Sequence, residues 1–108
     1  MNLLRQTQCK NLLITLGAKG LISYHMDNGN EVVQSQHFPA LTTNPVDDTG
    51  AGDALLSVMA LSHCVGANLI ESSVLGTCVS AITVNRIGNI PVTASNLNQF
   101  LDQLTLQL

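Results

Sequence analysis

The stretch Val46-Asp47-Asp48-Thr49-Gly50-Ala51-Gly52-Asp53, with the apolar run Ala54-Leu55-Leu56 straight after it, constrains this chain more than any other. Glycines at 50 and 52 free the backbone for close approach, and the sequence then turns helical. The first few N–H groups of a helix have no internal partner, and the aligned peptide dipoles add about half a positive charge there. Without a Cβ in the way these donors can reach an anion, so Gly50, Ala51 and Gly52 form a candidate anion hole. A bare anion hole does not call for Asp53, because a carboxylate beside a bound phosphate is repelled. Asp53 fits instead a base that takes the proton of an attacking hydroxyl, while the N–H groups stabilise charge on a transferred phosphoryl.

Other glycine signatures fit less well. A dinucleotide fingerprint needs a third glycine, and Leu55 stands where it belongs, with no strand-helix-strand unit opening around it. A P-loop needs Gly-Lys-Ser/Thr, which the chain lacks. The structural alternative is a glycine-rich turn that caps a buried helix.

In chain order, Asn2 to Gln8 reads as the tail of a helix without its start. Asn11 to Leu16 is apolar on both faces, as in a strand buried in a parallel sheet. Gly17-Ala18-Lys19-Gly20 turns the chain into a second strand, Leu21 to Met26. The Asn28-Gly29 pair signals a hairpin, with Glu31 to Phe38 as its return strand. Thr15 offers a hydroxyl and Gly17 a bare backbone at the carboxyl end of the first strand, where ligands of open α/β sheets sit. A polar connection from Pro39 to Pro45 leads to the glycine motif and a helix over about Ala51 to Cys64. That helix is apolar nearly all round through Leu55, Leu56, Val58, Met59, Ala60 and Leu61, which predicts full burial and a rigid seat for Asp53. Gly66 is its C-terminal cap. Asn68 and Glu71 have capping-box spacing and open a helix through about Arg86, whose Gly76, Thr77, Cys78, Ser80 and Ala81 admit a neighbouring helix or a flat ring. Gly88-Asn89-Ile90-Pro91 closes it. A last helix follows, capped by Thr93 or Ser95, with Leu97, Phe100, Leu101 and Leu104 as a core-facing stripe.

The two glycine stretches together resemble the ribokinase-like (PfkB) carbohydrate kinases. In their second signature, Asp-Thr-x-Gly-Ala-Gly-Asp, positions Asp47, Thr49 as the free residue, Gly50, Ala51, Gly52 and Asp53 fit. Asp48 stands where Thr is usual and adds negative charge, and Leu55 replaces the usual aromatic. Thr15-Leu16-Gly17-Ala18-Lys19-Gly20 is similar to the family's Thr-x-Gly-x-x-Gly nucleotide motif. The resemblance implies the C-terminal part of a three-layer α/β/α sandwich, strands and a hairpin first and three helices after. It also implies transfer of the ATP γ-phosphoryl to a sugar or nucleoside hydroxyl, with Asp53 as catalytic base and Thr15, Gly17, Gly20 and Thr77 at the nucleotide. Mg2+ is the implied divalent cofactor, and Asp47 with the Thr49 carbonyl the implied seat of a monovalent cation, K+. Ser57-Val58-Met59 and Arg86-Ile87-Gly88-Asn89 lean towards heptose-phosphate kinases, with pseudouridine and ribose kinases close behind.

The resemblance covers nearly the whole chain but only the C-terminal portion of the family's domain. The sugar-holding N-terminal strands, the first signature and the Asn-x-x-Glu motif have no counterpart, so the chain reads as a fragment or as a split or degraded gene product. Such a portion would expose sheet edges and apolar helix faces, which predicts a homo-oligomer or a complementing N-terminal fragment. A second reading is an inactive nucleotide- or anion-binding remnant. A net charge of −3 leaves no basic patch for nucleic acid. No apolar run reaches the roughly 18 residues of a membrane span and no signal peptide opens the chain, so cytoplasm is expected. Cys9, Cys64 and Cys78 are far apart and odd in number, and neither they nor His25, His37 and His63 have the spacing of a disulfide framework or a metal site. His63 and Cys64 are read as ordinary helix residues, since neighbours on a helix cannot face each other.

Overall fold

The computed structural model describes residues 6, 8–26, 33–41, 50–87 and 91–106. Strand β1 (Asn11–Thr15) runs into a 3-10 turn, Gly17–Lys19, and returns as β2 (Leu21–Met26). The reversal is tight because Gly17 and Gly20 take positive φ angles of 59° and 93°, which L side chains avoid. Three backbone bonds close it: Leu16 N–H to Gly20 O at 2.7 Å, Lys19 N–H to Leu16 O at 3.2 Å, and Gly20 N–H to Gly17 O at 3.1 Å. β1 therefore pairs antiparallel with β2, Asn11 opposite His25 and Thr15 opposite Leu21. This corrects the parallel pairing that its two apolar faces suggested: a five-residue turn can return the chain only antiparallel. Strand β3 (Val33–Phe38) continues the antiparallel sheet in the order β1-β2-β3, with Phe38 opposite Leu21. The expected Asp27–Asn30 turn, and Glu31 and Val32 of the return strand, lie outside the described residues, as does most of the expected Asn2–Gln8 helix tail.

Alternation puts Leu13, Leu21 and Phe38 on one face of the sheet. There they meet Leu55 and Met59 to form the core, with Val58 and Leu69 packed against it. Leu55 and Met59 belong to helix α1 (Ala51–Cys64), which covers the expected range. Its burial does not match the expectation. Only Leu55, Met59 and Ser62, one stripe at helical spacing, are buried, while Leu56 and Leu61 are 70% and 68% exposed. The described residues supply α1 with one packing surface, so an all-round apolar sequence is half covered.

Full burial falls instead to helix α2 (Leu69–Val84), nine of whose residues are buried although many are small and polar. Three of their four hydroxyls are satisfied within the helix, while Ser73 Oγ is buried with no hydrogen-bond partner among the described residues. Ser72 Oγ donates to Leu69 O at 3.1 Å, Thr77 Oγ1 to Ser73 O at 2.8 Å and Thr83 Oγ1 to Val79 O at 2.9 Å. Gly76 sets the helix spacing: a Cβ there would run into Leu55 Cδ1 and lie 3.2 Å from Met59 Cγ. The absent side chain lets the buried stripe of α1 rest on the backbone of α2.

The caps match the sequence. At the end of α1, Gly66 adopts φ +94°, with Gly66 N–H on His63 O at 3.1 Å and Ala67 N–H on Ser62 O at 2.9 Å, a Schellman ending. α2 opens on the expected capping box, Glu71 N–H to Asn68 Oδ1 at 2.8 Å and Asn68 N–H to Glu71 Oε1 at 3.1 Å. Helix α3 (Ala94–Leu106) is capped by Thr93, whose Oγ1 accepts Asn96 N–H at 3.1 Å. Its Leu97, Phe100, Leu101 and Leu104 stripe is half-buried, with no fully buried residue on the helix.

Candidate functional site

Where the turn after β1 faces the start of α1, a cavity of about 440 Å3 opens. Thr15, Gly17 and Gly20 line it from the sheet, Ala51 and Gly52 from the first turn of α1, and Thr77 from α2. These six were predicted from three separate stretches of sequence, and the fold brings them to one hollow. Gly17 and Gly52 leave it open, since a Cβ added to either meets nothing within 4 Å. Gly50, just before α1, has the left-handed φ of +78°. The first bond of the helix is Ala54 N–H to Gly50 O at 3.0 Å, so the N–H groups of Ala51, Gly52 and Asp53 precede the helical ladder and have no partner in it. Among the described residues no lysine, arginine or carboxylate lines the cavity. Its positive pole is the end of α1.

Asp53 sits in that first turn, solvent-exposed beside the cavity, with Ser57 Oγ donating to its backbone carbonyl at 2.9 Å. The hydroxyl of Thr77 donates to Ser73 O of its own helix at 2.8 Å. Asp47, Asp48 and Thr49 lie outside the described residues, as do Gly88, Asn89 and Ile90. Among the described residues no group of three or more His, Cys, Asp or Glu side chains is placed to hold a metal ion. Cys9 and Cys64 are exposed, and burial pushes the thiol of Cys78 above its ordinary pKa. No described helix is long and apolar enough to cross a membrane.

Several contributors had no sequence signal. Ala40 and Leu41 join the cavity because Gly20 lets the chain after β3 come against the turn, where an added Cβ would overlap Phe38 O and lie 2.7 Å from Ala40 N. Val84 follows Thr77 along the cavity face of α2, beyond Ser80 and Ala81, which the run of small residues marks. His37 Nε2–H donates to Lys19 O at 2.7 Å and ties the turn to β3. Only the β2–β3 register brings that ring to the turn, and the sequence does not show the register.

The model of the pfkB family carbohydrate kinases matches residues 1–95. An uncharacterized sugar kinase of Buchnera aphidicola is 29% identical over 102 residues, which are 94% of this chain and 31% of that protein. The bifunctional protein HldE of Nitrosococcus oceani is 32% identical over 97 residues, 90% of this chain and 20% of that protein. Among solved structures, a ribokinase from Thermotoga maritima superposes with a TM-score of 0.77 at 29% identity, covering 94% of this chain and 33% of that one. The fold is ribokinase-like, and the chain spans about a third or less of the length of these relatives.

Proposed function

The chain belongs to the pfkB family of carbohydrate kinases, and from that premise we propose that it supplies the nucleotide cleft and catalytic base of an ATP-dependent kinase. The acceptor is a hydroxyl of a sugar or nucleoside. The observation that carries this reading is the meeting, in one cavity, of the Gly17–Gly20 turn with the unpartnered N–H groups that open α1. A nucleotide fits there: the space over Gly17 and Gly52 is open, and Leu21, Leu41 and Val84 offer apolar walls to a flat ring.

Bound ATP supplies the transferable phosphoryl group. The N–H groups at Gly50, Ala51 and Gly52 receive the charge that gathers on it, aided by the dipole of α1. Asp53, one residue further on and open to solvent, takes the proton of the acceptor hydroxyl onto its carboxylate. Thr15, Gly17, Gly20 and Thr77 hold the nucleotide. Mg2+, when bound with the nucleotide, would offset the negative charge of its phosphates. K+ is assigned to Asp47 and the Thr49 carbonyl. Contacts to the acceptor are assigned to a second copy of the chain or to a complementing N-terminal fragment.

Calorimetric titration of the chain with magnesium ATP, with and without potassium, tests this. The expected result is saturable binding that Gly52→Val abolishes. A Cβ at Gly52 meets no protein atom within 4 Å, so that variant keeps its fold and loses only the approach to the donors. A folded chain that binds no nucleotide at millimolar concentration would sink the proposal and leave the inactive remnant as the better reading.

A further inference from the structure

A second cavity, also about 440 Å3, opens at the other end of the sheet face that packs on the helices, and shares no residue with the first. Two cross-strand rows make one wall, Asn11 with His25 and Gln34, then Ser23 with Gln36. His63 and the segment from Ala67 to Ile70 make the other. The same sheet face is apolar at Leu13, Leu21 and Phe38 and polar here. Along this end Asn11, Gln34 and Gln36 are exposed, while Ser23 beside them is buried.

The donors and acceptors are partly set. His25 Nδ1 lies 2.6 Å from Asn11 Oδ1. Ser72 Oγ spends its single hydrogen on Leu69 O, so it accepts from His63 Nε2 at 3.1 Å. Ser23 is 3% exposed, lines the cavity, and its hydroxyl is bonded to no other described residue. The Gln34 and Gln36 amides are likewise open to a ligand.

Charge narrows the choice of ligand. Among the described residues no lysine, arginine, aspartate or glutamate lines the cavity, and the carboxylate of Glu71 is engaged in the capping box. An anion finds no cation here. A metal finds, among the described residues, no group of three or more His, Cys, Asp or Glu side chains placed to hold it. What the walls match is a neutral molecule with hydroxyls on one edge and C–H groups on one face: amides and a hydroxyl stand on the sheet side, Ala67, Leu69 and Ile70 on the helix side. We propose that this cavity binds an uncharged polyhydroxylated ring of monosaccharide size, its hydroxyl edge on Ser23, Gln34 and Gln36 and its C–H face on Leu69 and Ile70.

Heteronuclear NMR titration of the full 108-residue chain with D-ribose and D-glucose tests it, with magnesium ATP, inorganic phosphate and Zn2+ as contrasts. At least one sugar should shift the amide signals of Ser23, His25, Gln36 and Ile70 saturably and leave Gly17 and Gly52 unmoved, whatever ATP does at the first cavity. Gln34→Ala, an exposed change that spares the core, should weaken sugar binding about three- to tenfold, and Ser23→Ala by as much. Sugar shifts that stay linear to the solubility limit would overturn the proposal. So would a saturable response centred on Gly17 and Gly52, an unchanged affinity in both variants, or saturation of this cavity by phosphate or zinc alone.

Discussion

Gly17 and Gly20 bound one turn and both have positive φ, yet alanine should act very differently at the two. At Gly17, φ is +59° and an added Cβ meets nothing within 4 Å. The left-handed backbone costs an L-residue about 1–2 kcal/mol, and the loss of unfolded-state freedom returns about 0.4–1 kcal/mol, so Gly17→Ala should destabilise by about 1 kcal/mol. At Gly20, φ +93° with ψ −134° is glycine territory, worth about 1–3 kcal/mol by itself. The new Cβ would also overlap Phe38 O and lie 2.7 Å from Ala40 N and 2.8 Å from Pro39 C. All three are backbone atoms, so no rotamer change relieves them. The end of β3 must move off the turn, which pulls Phe38 away from Leu21 in the core. The sum is about 4 kcal/mol or more, most of the stability of a domain at the low end of the usual 5–15 kcal/mol range. Urea unfolding followed by circular dichroism separates the two variants. Gly17→Ala should stay folded and lose nucleotide affinity, because its methyl stands over the cavity, whereas Gly20→Ala should unfold at low urea. Equal midpoints for the two would refute the packing argument, and undiminished ATP binding by Gly17→Ala would refute the placement of the nucleotide.

Three further outcomes are expected. In a reconstituted kinase, Asp53→Asn should lower turnover about 10²-fold or more with ATP affinity little changed, and steady-state kinetics showing full turnover would remove Asp53 from the role of base. Asn68→Ala deletes one bond of the α2 capping box and loosens the other, so it should cost about 1 kcal/mol, read as a lower thermal midpoint. Burial raises the pKa of Cys78, so above about pH 8.5 the unfolded chain sheds that proton more readily than the folded one. Stability should therefore fall as pH rises through that value, and Cys78→Ala should flatten the decline when urea midpoints are compared from neutral to alkaline pH.

What was legible in the sequence was local. The capping box at Asn68 and Glu71, the glycine ending at Gly66 and the turn at Gly17–Gly20 each act within a few residues, so residue type alone specifies them. Burial was less legible. α1 reads as the buried helix from its leucines, but α2 is the one enclosed, because Ser72, Thr77 and Thr83 return their hydroxyls to the helix's own carbonyls and so behave as small core residues. β1 reads as parallel because apolarity reports burial, not strand direction; direction was set by the length of the turn that follows. The cavity was half legible. Its glycines announced themselves, whereas Ala40, Leu41 and Val84 enter through packing at Gly20 and the phase of α2, neither of which a single residue encodes.

The division of α1 into two sides links stability to chemistry. Leu55 and Met59 lie against the backbone of α2 at Gly76 and fix the helix axis, while Gly52 and Asp53 on the exposed side touch little. An anion-facing helix start needs just this arrangement, because the donors must be aimed by packing that the ligand does not disturb. Leu55 belongs to both sides, since it is 5% exposed in the core and also forms part of the cavity floor. Shortening it to alanine should therefore do what Asp53→Asn does not: lower stability by about 2–5 kcal/mol and weaken nucleotide binding together. If Leu55→Ala lost stability but bound nucleotide as tightly as before, α1 would be aimed by something other than its packing on α2.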